Sequence, residues 1–156
     1  MELRIPDLKG DRFPEKFSKD GLNVSPPVEW SDVPEDAKEL VLLFENITPQ
    51  TKEPFVHWLV YKIPASWHGL PEGFKHQLDP KEPADVFHGM NSMGGHGYQG
   101  PLGTAGRRMR LRFTLFALDR ALEFPPGLDK GQLLAAVRGH VLDQTDMEVV
   151  WERTAA

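Results

Sequence analysis

The 156-residue chain contains no cysteine. Structural disulfides, thiolate zinc sites, iron–sulfur clusters and cysteine nucleophiles are therefore excluded, and any metal would have to rely on histidine and carboxylates. A basic excess is also missing: 18 Lys and Arg stand against 23 Asp and Glu, a formal charge of −5. That balance argues against a protein whose main work is neutralising nucleic-acid phosphates. No stretch approaches the roughly 20 apolar residues of a membrane span, and the opening Met1-Glu2-Leu3-Arg4-Ile5-Pro6-Asp7 has no apolar core of signal-peptide length. The expected compartment is the cytoplasm.

Several chemical motifs are absent as well. His57, His68, His76, His88, His96 and His140 include no i, i+3 or i+4 pair, so a zinc site of the usual helical spacing is not expected. No G-x-S-x-G elbow occurs, and Ser25, before two prolines, has no base visible in the sequence. Gly95, Gly97 and Gly100 form a formal G-x-G-x-x-G, but Pro101 follows where a dinucleotide site needs a helix. These glycines read as turns, or as backbone lining a cleft. No cofactor is expected.

What is present is an ordinary mixture for one globular domain, 40% apolar and 26% charged, punctuated by fourteen glycines and fourteen prolines. Such punctuation favours many short strands over a helical bundle. Residues 1–16 read as a leading strand or arm, and Phe17 to Trp30 as extended chain around Pro26 and Pro27. Glu39 to Phe44 is too apolar for an alternating surface strand and reads as a buried central one, as does Phe55 to Ile63. Arg110 to Leu118 makes a third strand and Met147 to Trp151 a terminal fourth. Residues 65–107 are a glycine-rich connection, and a loop that long inside one domain is usually functional. One helix is expected near the C-terminus, with Asp129 and Gln132 as a capping box, Leu133, Leu134 and Val137 as its apolar face and Gly139 as its stop. The sum is a mainly β, α+β domain spanning 1–156 in which one helix covers a face.

Two features carry chemistry. His57 lies inside a strand of bulky apolar neighbours, and it is either a satisfied core residue or, if it meets Glu45 from the preceding strand, a charged donor beside a cleft. Arg108, Arg110 and Arg112 share one face of their strand, while Met109, Leu111 and Phe113 share the other. The arginine stripe is either a solvated face or a binding edge for an acidic protein partner.

The order of the pieces adds a further reading. Ser25-Pro26-Pro27-Val28-Glu29-Trp30, Val33-Pro34, His57-Trp58-Leu59-Val60-Tyr61-Lys62-Ile63-Pro64-Ala65, Asn91-Ser92-Met93-Gly94, Gly97-Tyr98-Gln99-Gly100-Pro101, Phe113-Thr114-Leu115-Phe116-Ala117-Leu118-Asp119 and Gly139-His140 succeed one another from about Phe17 to Trp151. This succession resembles the phosphatidylethanolamine-binding protein family, most of all its short bacterial and archaeal branch, often labelled Raf kinase inhibitor-like. The resemblance implies a large β-sheet packed on a smaller one, with helix at the edge, and a small cleft that accepts phosphate, phosphorylethanolamine or a similar headgroup-like anion. It also implies a non-enzymatic role, in some members the restraint of kinases or proteases, together with a homodimer and no cofactor or metal.

Carried over by position, the cleft would comprise Glu45 and His57 as polar floor, Tyr98, Gly100 and Pro101 as wall, and Met109 and Leu111 as apolar side. The family's Asp-Pro-Asp-Ala-Pro segment falls on Glu45-Asn46-Ile47-Thr48-Pro49, and its His-Arg-Tyr triplet on Met109-Arg110-Leu111. Two donors have become apolar. Each hydrogen bond lost to a charged ligand is worth about 1.5–3 kcal/mol, so anion affinity is expected to fall by on the order of 10²–10⁴. The alternative class is a protein–protein regulator with no small ligand, working through the Arg107–Arg112 stripe or the glycine-rich loop. A weak hydrolase is a remote third, since no activated nucleophile can be named.

Overall fold

The computed structural model describes residues 1–6, 8–48, 53–74, 86–123 and 125–153. Pro49, His76 and the middle of the glycine-rich connection lie outside them. The small sheet is antiparallel and contains β1 (Glu2–Arg4), β2 (Val28–Ser31) and β5 (Gly69–Leu70), in the order β1-β2-β5. The large sheet contains β3 (Glu39–Asn46), β4 (Phe55–Pro64), β6 (Phe87–His88), β7 (Arg108–Leu118) and β8 (Val141–Glu152). Its order is β6-β4-β3-β7-β8, with every pairing antiparallel.

Both faces of the large sheet are covered, which is why β3 is a continuous buried run rather than an alternating one. Leu40, Leu42 and Phe44, with Trp58, Val60, Leu111, Phe113 and Leu115, pack with Val28, Trp30 and Leu70 of the small sheet. On the opposite face Val41, Leu43, Leu59, Tyr61 and Leu118 meet Leu133 and Val137 of α1 (Lys130–Val137), the one α-helix among the described residues. The capping box is formed as expected: Asp129 accepts from the Gln132 backbone and the Gln132 side chain accepts from the Asp129 backbone. Gly139, at φ +81°, turns the chain just beyond the helix. No helix among the described residues is long and apolar enough to cross a membrane.

Two expectations need correction, and one pair of alternatives is resolved. The terminal strand begins at Val141, well before Met147. Asp143 to Asp146 are poor strand formers by composition, yet they pair with Thr114 to Ala117 because β8 is an edge strand with one wet face. Of the two readings of residues 1–16, the leading strand is the one observed: β1 pairs with β2, and residues 11–13 run beside β8 through Val150 N to Asp11 O and Phe13 N to Val150 O. Phe13 and Phe17 are buried as a result. Finally, the glycine-rich connection carries β5 and β6 and is fastened along β4 by Gly89 N to Leu59 O and Gln99 N to His57 O, each 2.8 Å. Gly97 sits at φ +105° in a turn and no helix follows it, so the G-x-G-x-x-G spacing serves turn geometry.

Candidate functional site

The site is best built from His57 outward. The β3–β4 register is interrupted there: Phe44 faces Trp58 and Glu45 faces Val56, leaving His57 as the extra residue of a bulge. The bulge turns its ring toward Phe44 and Phe55, with centroids 5.3 and 4.8 Å away. Gln99 closes the other side. Its N–H donates to the His57 carbonyl, and its own carbonyl accepts from His57 Nδ1 at 2.7 Å. A carbonyl can only accept, so the proton resides on Nδ1 and Nε2 carries the lone pair. Nε2 is buried and has no hydrogen-bond partner among the described residues.

Burial decides the charge of this imidazole. His57 is 3% exposed, and desolvation drives its pKa down to about 4, outweighing the bond to Gln99, while the nearby Lys19 charge adds to the depression. At neutral pH a group with pKa about 4 is protonated roughly one time in a thousand. His57 is a neutral acceptor, and the reading of it as an imidazolium held by Glu45 is corrected.

Glu45 leaves the sheet on the other face. Phe44 points into the layer between the sheets, so its neighbour Glu45 points toward α1, where it is 1% exposed. There its two oxygens accept from Arg112 at 2.9 Å and from Lys130 Nζ at 2.5 Å. Neither cation was foreseen as a partner. Arg112 carried a weak signal, as the member of the arginine stripe nearest the core, whereas Lys130 is distant in sequence and carried none.

The remaining cleft residues gather on the His57 face with unequal exposure. Tyr98 stacks on Phe44 at 6.2 Å and 5° and meets Trp58 edge-on, and its hydroxyl donates to the Phe17 carbonyl at 2.6 Å. Burial raises its pKa well above the ordinary phenol value. Gly100 is a close-approach position: a Cβ there would lie 2.2 Å from the Phe17 carbonyl oxygen. Its N–H donates to Asn23 Oδ1, and Pro101 follows it, accepting from Lys19 N. Met109 is partly buried, opposite Trp151, and packs against the interior with Leu111. Leu111 is fully buried between Asn46 and Val149. It is core, so its assignment as a cleft wall is corrected.

The arginine stripe is matched by carboxylates. Arg108 pairs with Glu152, Arg110 with Glu148 and Arg112 with Glu45. Of its two readings, the balanced, partly solvated face is the one the geometry carries. Among the described residues no group of three or more histidines and carboxylates is placed to hold a metal.

The sequence profile described as phosphatidylethanolamine-binding protein matches residues 6–152. A UPF0098 protein of Methanothermobacter thermautotrophicus is 34% identical over 142 residues, covering 91% of each chain. One from Chlamydia trachomatis is 33% identical over 150 residues, 92% of this chain and 93% of the other. Among solved structures, CT736, a phosphatidylethanolamine-binding protein homologue from Chlamydia trachomatis, superposes with a TM-score of 0.84 at 31% identity, covering 97% and 96% of the two chains. Escherichia coli YbcL gives the same TM-score at 21% identity over 97% of both chains, a likeness of fold.

Proposed function

This chain belongs to the phosphatidylethanolamine-binding protein family, and from that premise we propose that it is a non-enzymatic cytoplasmic binding protein whose cleft has been retuned from anions to an uncharged hydrogen-bond donor, with ligand occupancy regulating a partner protein. The observation that carries this is the state of His57. Its Nε2 presents a buried lone pair without a partner, on a ring that burial keeps neutral. Such an atom favours an N–H or O–H group and repels a phosphate oxygen. Around it the chain places the rings of Phe44 and Phe55, with Tyr98 stacked on Phe44, and the Lys19 charge nearby disfavours an imidazolium further. Glu45, Arg112 and Lys130, the charges nearest in sequence logic, satisfy one another on the opposite face.

Two features support a role without catalysis. His57 Nδ1 is committed to a carbonyl, and neither ring nitrogen is bonded to a hydroxyl that it could activate. A second reading, direct contact of a protein partner with the glycine-rich segment, is favoured by the neighbouring Met90 and Met93, 36% and 60% exposed there.

The test is calorimetric titration of inorganic phosphate and phosphorylethanolamine into the wild type and His57→Ala. The expected outcome is no saturation below millimolar concentration for phosphate. Clean saturation at low micromolar phosphate, abolished by His57→Ala, would overturn the retuned cleft and restore an anion site.

A further inference from the structure

A cavity of about 590 Å³ opens between residues 23–25, the turn at Gly73–Phe74, β6 and the segments 96–98 and 126–127. That volume lies in the range that holds a small organic ligand. Of the seven residues assigned to the cleft, only Tyr98 lines it.

The cavity is lined by a polar group with nothing to bind. Ser25 is 3% exposed, and its position is pinned by the following Pro26 and by Gly73 N, which donates to its carbonyl at 2.8 Å. Its Oγ is buried and has no hydrogen-bond partner among the described residues. A hydroxyl shut off from water without a partner is costly, and such a group in a native fold calls for an explanation. Here it borders a space that a ligand can enter.

The rest of the lining narrows the chemistry. Among the described residues no Asp, Glu, Lys or Arg lines the cavity, so an ion would lose its hydration with no countercharge from them to replace it. The walls are rings. Phe74 meets His88 edge-on at 5.7 Å, and Tyr98 contributes its ring alone because its hydroxyl is engaged by Phe17. The His96 ring packs directly on Gly127, where a Cβ would come within 2.9 Å of Nε2, so the glycine lets this ring form that side of the wall. Aromatic walls favour a flat π face, and a serine hydroxyl can both donate and accept.

We propose that this cavity is a second binding site, separate from the His57 cleft although Tyr98 borders both, for an uncharged planar heteroaromatic molecule of the free purine-base type, its ring against Phe74 and its polar edge on Ser25. Adenine serves as the probe, titrated into the ¹⁵N-labelled full chain. The expected result is a set of saturable amide shifts centred on Ser25, Gly73, Gly97 and Gly127. Ser25→Ala removes an atom that holds nothing in the folded protein, so it keeps the fold and weakens adenine about tenfold, the worth of one hydrogen bond. Phe74→Leu keeps an apolar side chain and weakens adenine severalfold by removing the ring. His57→Ala leaves adenine binding unchanged while abolishing any response at the cleft, so the two sites are separated. Absence of saturable shifts at those four amides, unchanged affinity in either cavity variant, or equally tight binding of the benzoate anion would overturn the proposal.

Discussion

Glu45 and His57 stand on neighbouring strands, one bulge apart, and leave the large sheet on opposite faces. The carboxylate answers two cations beneath α1, while the imidazole answers a backbone carbonyl among aromatic rings. Had the β3–β4 register run without interruption, the alternation of side chains would have assigned these groups differently.

The buried carboxylate makes Glu45 a stability residue. Replacing it by Gln leaves Arg112 and Lys130 without their counter-ion. Loss of one partner of a buried pair costs about 3–5 kcal/mol, reduced here to about 1–3 kcal/mol because both cations are partly solvated. Arg110→Ala, which breaks an exposed pair with Glu148, should cost below about 1 kcal/mol. Urea denaturation of the two variants checks the contrast.

His57 sets a pH dependence whose sign is defined. Its ordinary pKa of 6.5 falls to about 4 on folding, so between those values the unfolded chain binds the extra proton and stability declines as pH falls. Above about pH 6.5 this group contributes no slope, and below about pH 4 the loss is complete. The full effect approaches about 3 kcal/mol. Denaturation curves for wild type and His57→Phe, taken from pH 7 to pH 4, should diverge in slope across that window, with the flatter profile belonging to the variant.

Two glycines of one loop should respond unequally to alanine. At Gly100 the new Cβ would meet the Phe17 carbonyl oxygen at 2.2 Å and Ser18 Cα at 3.0 Å, both backbone atoms that cannot step aside cheaply. Gly100→Ala should therefore lose about 1–3 kcal/mol. At Gly95 the nearest atom is the Asn91 side-chain nitrogen at 3.8 Å, an ordinary contact. Gly95→Ala should stay within about 0.5 kcal/mol of wild type. Paired thermal melts decide it.

The two tyrosines should resist ionisation. Burial raises the pKa of both Tyr61 and Tyr98, although hydrogen bonds from Leu128 and Gly127 partly offset this at Tyr61. The Tyr98 hydroxyl donates to the Phe17 carbonyl, a bond available only to the neutral phenol. In an alkaline titration the phenolate absorbance should lag behind that of free tyrosine and rise together with loss of tertiary structure. A titration near pH 10 with the fold intact would contradict the burial.

The central strands and the helix could be read directly because their signals are local. β3 and β4 are apolar runs of strand length, and Asp129 and Gln132 are a cap written three residues apart. β8 was half hidden because Asp143 to Asp146 owe their strand conformation to a partner across the sheet, not to their own propensity. The cleft assignment failed at Glu45, which leaves the sheet on the α1 face, and at Leu111 for a related reason. Period-two reasoning placed Met109 and Leu111 on one face correctly, but nothing in the sequence says that Asn46 and Val149 seal Leu111 on both sides.

From the sequence alone came the absence of thiol chemistry, the two-layer β architecture with one capped helix, and the membership that ordered motifs disclosed. Only the tertiary structure decided that Glu45 serves α1 and that His57 is neutral. Side-chain direction at a bulge and desolvation in a packed layer depend on neighbours brought in from distant parts of the chain, Lys130 for the one and Gln99 for the other.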